Sequence, residues 1–307
     1  MRNIAIFGAS GMLGSALSRR LDLDYFLIEP THEEYDLTSP ESCDLFFDWN
    51  SPDTVIMCAG KVGGIKANME DPLGFLNENL LMTVNVINSC VKNGVENFIN
   101  VASSCIYPRD CNQPMKESYL LDGKLEPTNE GYALAKLVGL KLTEYYRKQQ
   151  NLNYITLIPC NLYGPNDNWT EGGHVMAALI KNINDAAAEG ESKLTIRGSG
   201  TAKREFLHVS DAAEGIKHIM DIMHNQPNRL KKWDYLNLGS GEDYSIKELA
   251  MKICDAMDMN YKPSFEYDRT FPDGMPRKVL DNRRITGLGW KPKIHINEGI
   301  MEMIGYS

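Results

Sequence analysis

An α/β fold built on a parallel sheet follows from three observations. Strand-like apolar runs alternate with helix-periodic segments through the first half of the chain. Three glycines mark the passage from the first run into the first helix, and near Asn161 the rhythm breaks into shorter elements and longer loops. Such alternation needs right-handed crossovers that lay helices on both faces of the sheet, a Rossmann-type doubly wound arrangement. The change of rhythm divides the chain into a dinucleotide-binding domain, 1–162, and a smaller C-terminal α/β substrate domain, 163–307. Some segments of the second part are expected to return to the first.

Each element has a local reason. Asn3–Phe7 is a short apolar run that reads as a strand, and Met12–Leu21 has helical spacing. Tyr25–Ile28, Thr54–Met57, Asn97–Val101 and Tyr154–Ile158 read as further strands. Helices fit Glu41–Trp49, Gly74–Lys92 (stopped by Asn93-Gly94) and Tyr132–Gln149. Beyond Asn161, the loops Gly164–Gly173, Gly198–Arg204 and Asp268–Arg277 separate the helices Val175–Ala188, Asp211–His224 and Ser245–Met257. The last of these opens on a capping box, Ser245 to Glu248.

Composition excludes several classes. The 307 residues are 43% hydrophobic and 24% charged, a soluble globular balance, and the net charge of −9 without a basic stripe argues against nucleic acid. No apolar run reaches the roughly 20 residues that span a bilayer. The seven cysteines are odd in number, lack a C-x-x-C pair and mostly sit in apolar runs. That pattern fits reduced thiols rather than a disulfide frame or a metal site. With the N-terminus running straight into a strand, the expected address is the cytoplasm.

The chemistry lies in two motifs. Gly8-x-x-Gly11-x-x-Gly14 follows a strand and opens a helix, where glycines allow a tight turn, close approach of a pyrophosphate and helix–sheet packing. Its spacing is typical of short-chain dehydrogenases. Tyr132, 29 residues after Ser103, and Lys136 stand four apart on one helix face. An ammonium there is expected to lower the phenol from about 10. Together they suit the movement of a hydride and a proton on and off one carbon–oxygen bond. Glu29 ends the second strand where an acid holds a ribose 2′-OH, which favours NAD; Thr31-His32 beside it could instead meet a 2′-phosphate.

The stretches Ser103-Ser104-Cys105-Ile106-Tyr107-Pro108, Lys61-Val62-Gly63-Gly64-Ile65 and Asn161-Leu162-Tyr163-Gly164-Pro165-x-Asp167-Asn168 resemble the signatures of the GDP-L-fucose synthases. So do Gly173-His174-Val175, Arg204-Glu205-Phe206 and Pro272-Asp273-Gly274. This is a branch of the extended short-chain dehydrogenases, and the resemblance runs from Ile4 to about Trp290. It implies 3,5-epimerisation and then 4-reduction of a GDP-linked 4-keto-6-deoxyhexose, GDP-4-keto-6-deoxy-D-mannose, with NADP(H) as cofactor and NAD(H) as the alternative. Cys105 is implied as base and His174 as acid, with Ser103, Tyr132 and Lys136 serving the reduction. The cofactor would meet Gly8, Ser10, Gly11, Met12, Leu13, Gly14, His32, Val101, Ala102, Ser103 and Ser104. Farther along it would meet Lys136, Pro159, Asn161, Leu162 and His174. Asn182, Arg197, Arg204, Asp273 and Lys278 match substrate-holding positions.

Ser10 and His32 stand where bacterial members often carry Arg, and Asn182 and Arg197 replace a basic and an aromatic residue. Close alternatives are therefore a GDP-L-colitose synthase-like enzyme and a nucleotide-sugar 4-epimerase or dehydratase that retains its NAD. A catalytically silent dinucleotide sensor is the reading from another class. A homodimer through Gly74–Lys92 and Tyr132–Gln149 is implied by the family.

Overall fold

The structure is a computed structural model that describes residues 1–170, 173–191, 193–257 and 263–305. Positions 171 and 172 of the expected Gly164–Gly173 loop lie outside the described residues. In chain order the first part contains β1 (Asn3–Phe7), α1 (Met12–Leu21), β2 (Phe26–Ile28), α2 (Pro40–Trp49), β3 (Thr54–Met57), α3 (Ile65–Glu70), α4 (Pro72–Lys92), β4 (Asn97–Val101), α5 (Glu130–Gln150) and β5 (Asn153–Pro159). Then come β6 (Asn161–Tyr163), α6 (Val175–Glu189), β7 (Lys193–Arg197), β8 (Lys203–His208), α7 (Val209–Asn225), β9 (Tyr235–Leu238), β10 (Asp243–Ser245), α8 (Ile246–Ala256), β11 (Ser264–Asp268), β12 (Arg277–Lys278), α9 (Arg283–Gly287) and α10 (Ile296–Ile304).

The central sheet has six parallel strands in the order β2-β1-β3-β4-β5-β9. Alternation along β1 explains its two covered faces. Ile4 and Ile6 pack with Leu17 and Leu21 of α1 and Ile216 and Met220 of α7, whereas Ala5 and Phe7 pack with Phe46 of α2 and Val86 of α4. Each of the larger of these side chains, fully buried, contributes about 1.5–3 kcal/mol. Between β1 and β3 the chain reverses its direction of travel across the sheet, so a crevice opens at their carboxyl ends.

β9 joins the central sheet from far along the chain, and α7 covers α1. The remaining late elements form a separate core in which Met176 and Ile180 of α6, Leu249 and Ile253 of α8, and Ile300 and Met303 of α10 meet. Over it lie the sheet β10-β8-β12, to which β6 is joined, and the pair β11-β7.

Helix ends follow local chemistry. Ser39 caps α2 by accepting from Ser42 N, Asp71 caps α4 by accepting from Gly74 N, and the Ser245–Glu248 capping box opens α8 as expected. The six-residue α3 and strands β6 to β12 were not expected from the sequence. No described helix is long and apolar enough to cross a membrane, and all seven cysteines are free.

Candidate active site

A cleft of about 590 Å³ runs along the carboxyl ends of β1, β3, β4 and β5. The first wall is the glycine loop. Gly8 has φ +88°, and a Cβ there would lie 2.7 Å from Ala59 N; a Cβ on Gly14 would lie 2.0 Å from Gly8 O. The backbone therefore packs as closely as only glycine allows. Gly11 heads α1 without any side-chain cap, and no acid stands in the first turn. Unclaimed N–H groups at a ten-residue helix start, opening on a cleft, fit a pyrophosphate. A dinucleotide cofactor therefore fits these residues.

Ser10, Gly11, Met12, Leu13, Gly14, His32, Val101, Ala102, Ser103, Lys136, Pro159, Asn161, Leu162 and His174 all line the cleft. Ser104 does not; it is buried beneath the turn that follows β4. Glu29 also lies off the cleft and is exposed, because β2 ends at Ile28 and the next residues, Pro30 to His32, turn inward. Of the two candidates at the end of β2, Thr31-His32 lines the cleft and Glu29 does not.

The chemical end is built on the turn after β4. Ser103 heads a 3-10 helix, Ser104–Ile106, and its hydroxyl accepts from Cys105 N at 3.4 Å. Tyr107 closes this turn and donates to Asn237 Oδ1 of β9 at 2.6 Å, anchoring it to the sheet. Burial pushes the Cys105 thiol up; the Lys278 ammonium, the Ser103 hydroxyl and the Lys136 ammonium oppose that. Cys105 and Lys278 face the same cleft.

Tyr132 and Lys136 share one face of α5, yet their relation differs from the expected one. The Lys136 Nζ lies 5.8 Å from the Tyr132 ring centroid and donates to Val101 O at 3.1 Å. Burial raises the phenol, and the neighbouring Cys105 raises it further, against the Ser103 hydroxyl. Lys136 is lowered by burial. The expectation of a phenol depressed by its lysine is therefore corrected: here desolvation dominates and raises the Tyr132 phenol.

His174 stands at the head of α6 and lines the cleft, with Nδ1 2.7 Å from Asp167 Oδ1. That hydrogen bond raises the imidazole above its ordinary value, opposed by burial. Asp167 was not singled out in the sequence, although it stands in a quoted motif seven residues before His174. Glu205 was likewise missed. Its carboxylate accepts from Gly241 N at 2.6 Å and Leu280 N at 2.8 Å, tying β8 to the segment that carries Lys278.

Of the expected substrate residues, Lys278 alone lines the cleft. It pairs with Arg204 across β12 and β8. Arg204 Nη2 donates to Asp273 O at 2.7 Å, and Asp273 Oδ1 accepts from Ser199 N at 2.7 Å. The Arg197 guanidinium lies over Phe271, 4.9 Å from its centroid. These residues form a rim beyond Lys278, while Asn182 is exposed on α6 outside the cleft lining.

A family profile described as the NAD dependent epimerase/dehydratase family matches residues 4–239. A putative GDP-L-fucose synthase 2 of Arabidopsis thaliana is 41% identical over 97% of this chain and 89% of its own. The GDP-L-fucose synthase of Escherichia coli is 40% identical, covering 97% and 94%. Among solved structures, a GDP-mannoheptose C4 reductase from Campylobacter jejuni with NADP bound superposes with a TM-score of 0.88 at 29% identity, over 99% of this chain and 98% of that one. The chain belongs to the NAD dependent epimerase/dehydratase family, within the extended short-chain dehydrogenases and alongside the GDP-L-fucose synthases.

Proposed function

We propose that this chain is a GDP-L-fucose synthase, an NADPH-dependent epimerase–reductase acting on GDP-4-keto-6-deoxy-D-mannose. One observation carries the reading: a thiol, Cys105, and an imidazole, His174, line the same cleft as Ser103, Tyr132 and Lys136, beside a glycine loop shaped for a pyrophosphate. A simple 4-reductase has no need of the first two groups.

A C4 ketone acidifies the hydrogens on C3 and C5. At each carbon in turn Cys105 removes the proton and His174, oriented through Nδ1 by Asp167, returns one from Nε2 to the opposite face. The thiol then gives up its proton and the imidazole regains one by exchange with solvent before the second inversion. Meanwhile Ser103 and Tyr132 hydrogen-bond O4 while negative charge resides there. Lys278 supplies a positive charge that favours the Cys105 thiolate against burial. NADPH, when bound, supplies the hydride for C4. Tyr132 gives its proton to O4, and Lys136 holds the nicotinamide ribose. Gly8, Ser10, Gly11, Met12, Leu13 and Gly14 would cradle the pyrophosphate, with Thr31 and His32 at the 2′-phosphate. Arg204, Asp273 and Arg197 would hold the GDP moiety along the rim.

The division at residue 162 fits this reading, with β9 and α7 serving the nucleotide-binding part. An apolar face on α4 and α5, with Leu81, Leu134, Val138 and Tyr145 exposed, supports a homodimer. Seven free thiols suit a reducing, cytoplasmic address. Incubation with GDP-4-keto-6-deoxymannose and either NADPH or NADH, with the product sugar identified by NMR, tests the proposal. GDP-L-fucose formed with NADPH consumed is the expected outcome; a C4-reduced product with unchanged C3 and C5 would overturn it.

A further inference from the structure

A second cavity, of about 770 Å³, opens away from the reaction cleft and shares no lining residue with it. It lies beside β9, the edge strand of the central sheet, between the 3-10 turn Pro227–Leu230, α9 and the segment 116–118. Six cations line it: Lys116, Arg229, Lys231, Lys232, Arg283 and Arg284. The carboxylates in the same wall are Glu117 and Asp281.

Both carboxylates are already engaged. Asp281 accepts from Arg283 through Nε and Nη2 at 2.9 and 2.6 Å, and Glu117 Oε2 lies 3.2 Å from Arg284 Nε. Lys116, Arg229, Lys231 and Lys232 are left without a carboxylate at ion-pair distance among the described residues. A chain of net charge −9 has acids to spare for its surface cations, so concentrated uncompensated positive charge in a concavity calls for a counter-charge.

Three of the cations also have anchoring contacts. Lys232 Nζ and the Arg284 guanidinium lie 4.9 and 4.4 Å from the Trp233 ring centroid. Arg229 is pinned by donation to Leu288 O at 2.9 Å. Fixed donors cost less entropy on binding than free side chains do.

We propose that this cavity is a binding site for a small polyphosphate, such as the phosphate tail of a nucleoside triphosphate, separate from the reaction cleft. Several converging cationic donors suit closely spaced phosphates better than a single carboxylate. A volume in the usual range for small-ligand pockets leaves room for an organic group beyond the phosphates.

The test is calorimetric titration of tripolyphosphate, and separately of GTP, into protein saturated with NADPH and GDP-L-fucose, which occupy the reaction cleft, at physiological salt. One saturable site per chain is expected. The double variant Lys231→Glu/Lys232→Glu should weaken it by at least about tenfold, while turnover of the GDP-sugar stays at the parent level. Equal affinity for the two probes assigns recognition to the phosphates alone, and tighter GTP binding adds the nucleoside; both outcomes support the site. No saturable binding below about 1 mM, or binding that the double variant leaves unchanged, overturns it.

Discussion

His174 Nδ1 and Asp167 Oδ1 lie 2.7 Å apart, and the Asp167 side chain is fully buried while the imidazole is 37% exposed. The carboxylate therefore fixes one ring nitrogen and leaves Nε2 for the cleft. Asp167 Oδ1 also accepts from Asn168 N at 2.7 Å, so the acid is held by its own turn. A buried anion at this distance stabilises the imidazolium, the form that an acid catalyst needs.

Asp167→Asn should expose that dependence on pH. With its partner ionised, His174 keeps its proton to a pH above 6.5, and the acid form is lost as pH rises through the raised value. Removing the charge should move this falling limb toward lower pH and cut epimerisation at neutral pH by about 10–100-fold. The check is the pH profile of solvent-deuterium exchange at C3 and C5. An unmoved limb would sink the pairing.

Cys105→Ser replaces a thiol with a hydroxyl far too weakly acidic to serve as base. Deuterium incorporation at C3 and C5 should fall by about 10²–10⁴-fold, with NADPH affinity unchanged. Label that still enters at both carbons would dismiss Cys105 as the base.

Tyr132→Phe deletes the proton donor but keeps the ring that packs edge-on to Phe75, 6.3 Å between centroids. C4 reduction should drop by about 10²–10⁴-fold, with cofactor binding, followed by nicotinamide fluorescence, nearly intact. Retained turnover would refute the assignment.

Arg204→Ala should raise KM for the GDP-sugar by about tenfold or more, as loss of a charged hydrogen-bonding group does, and leave KM for NADPH alone. Equal effects on both would mean that Arg204 only braces Asp273 and the rim.

Glu205 predicts a pH-dependent stability. Burial pushes it up from 4.5 to about 7, against donation from Gly241 N and Leu280 N. The folded chain then binds this proton more tightly than the unfolded chain does. Its contribution is complete below pH 4.5 and is lost as pH rises toward 7, by at most about 3 kcal/mol. Glu205→Gln should remove that slope, at a cost of about 1–3 kcal/mol for an amide facing backbone N–H groups. Denaturation midpoints measured across this range, in parent and variant, decide it; equal slopes would count against the buried carboxylate.

Much of the first part of the fold was legible locally. β1, β3 and β4 occupy the runs that their apolar patterns predict, and α1 begins at Met12 within the glycine motif, as expected, because pattern and capping act within a few residues. α3 escaped notice because six residues carry too little periodicity. β9 escaped because Asn237 interrupts its apolar run; that side chain is buried only because Met115 O, Asp281 O and Tyr107 surround it.

The amino-acid order alone determined the dinucleotide loop, the Tyr132–Lys136 spacing and the presence of Cys105 and His174, since each is a matter of near neighbours or of residue type. Only the tertiary structure decided that Cys105 and His174 face one cleft, that burial outweighs the lysine at Tyr132, and that Glu29 turns away while Lys278 turns in. Those outcomes depend on desolvation and on contacts between segments tens to hundreds of residues apart, and proton affinity in a cleft is set by what surrounds a group rather than by what precedes it in the chain.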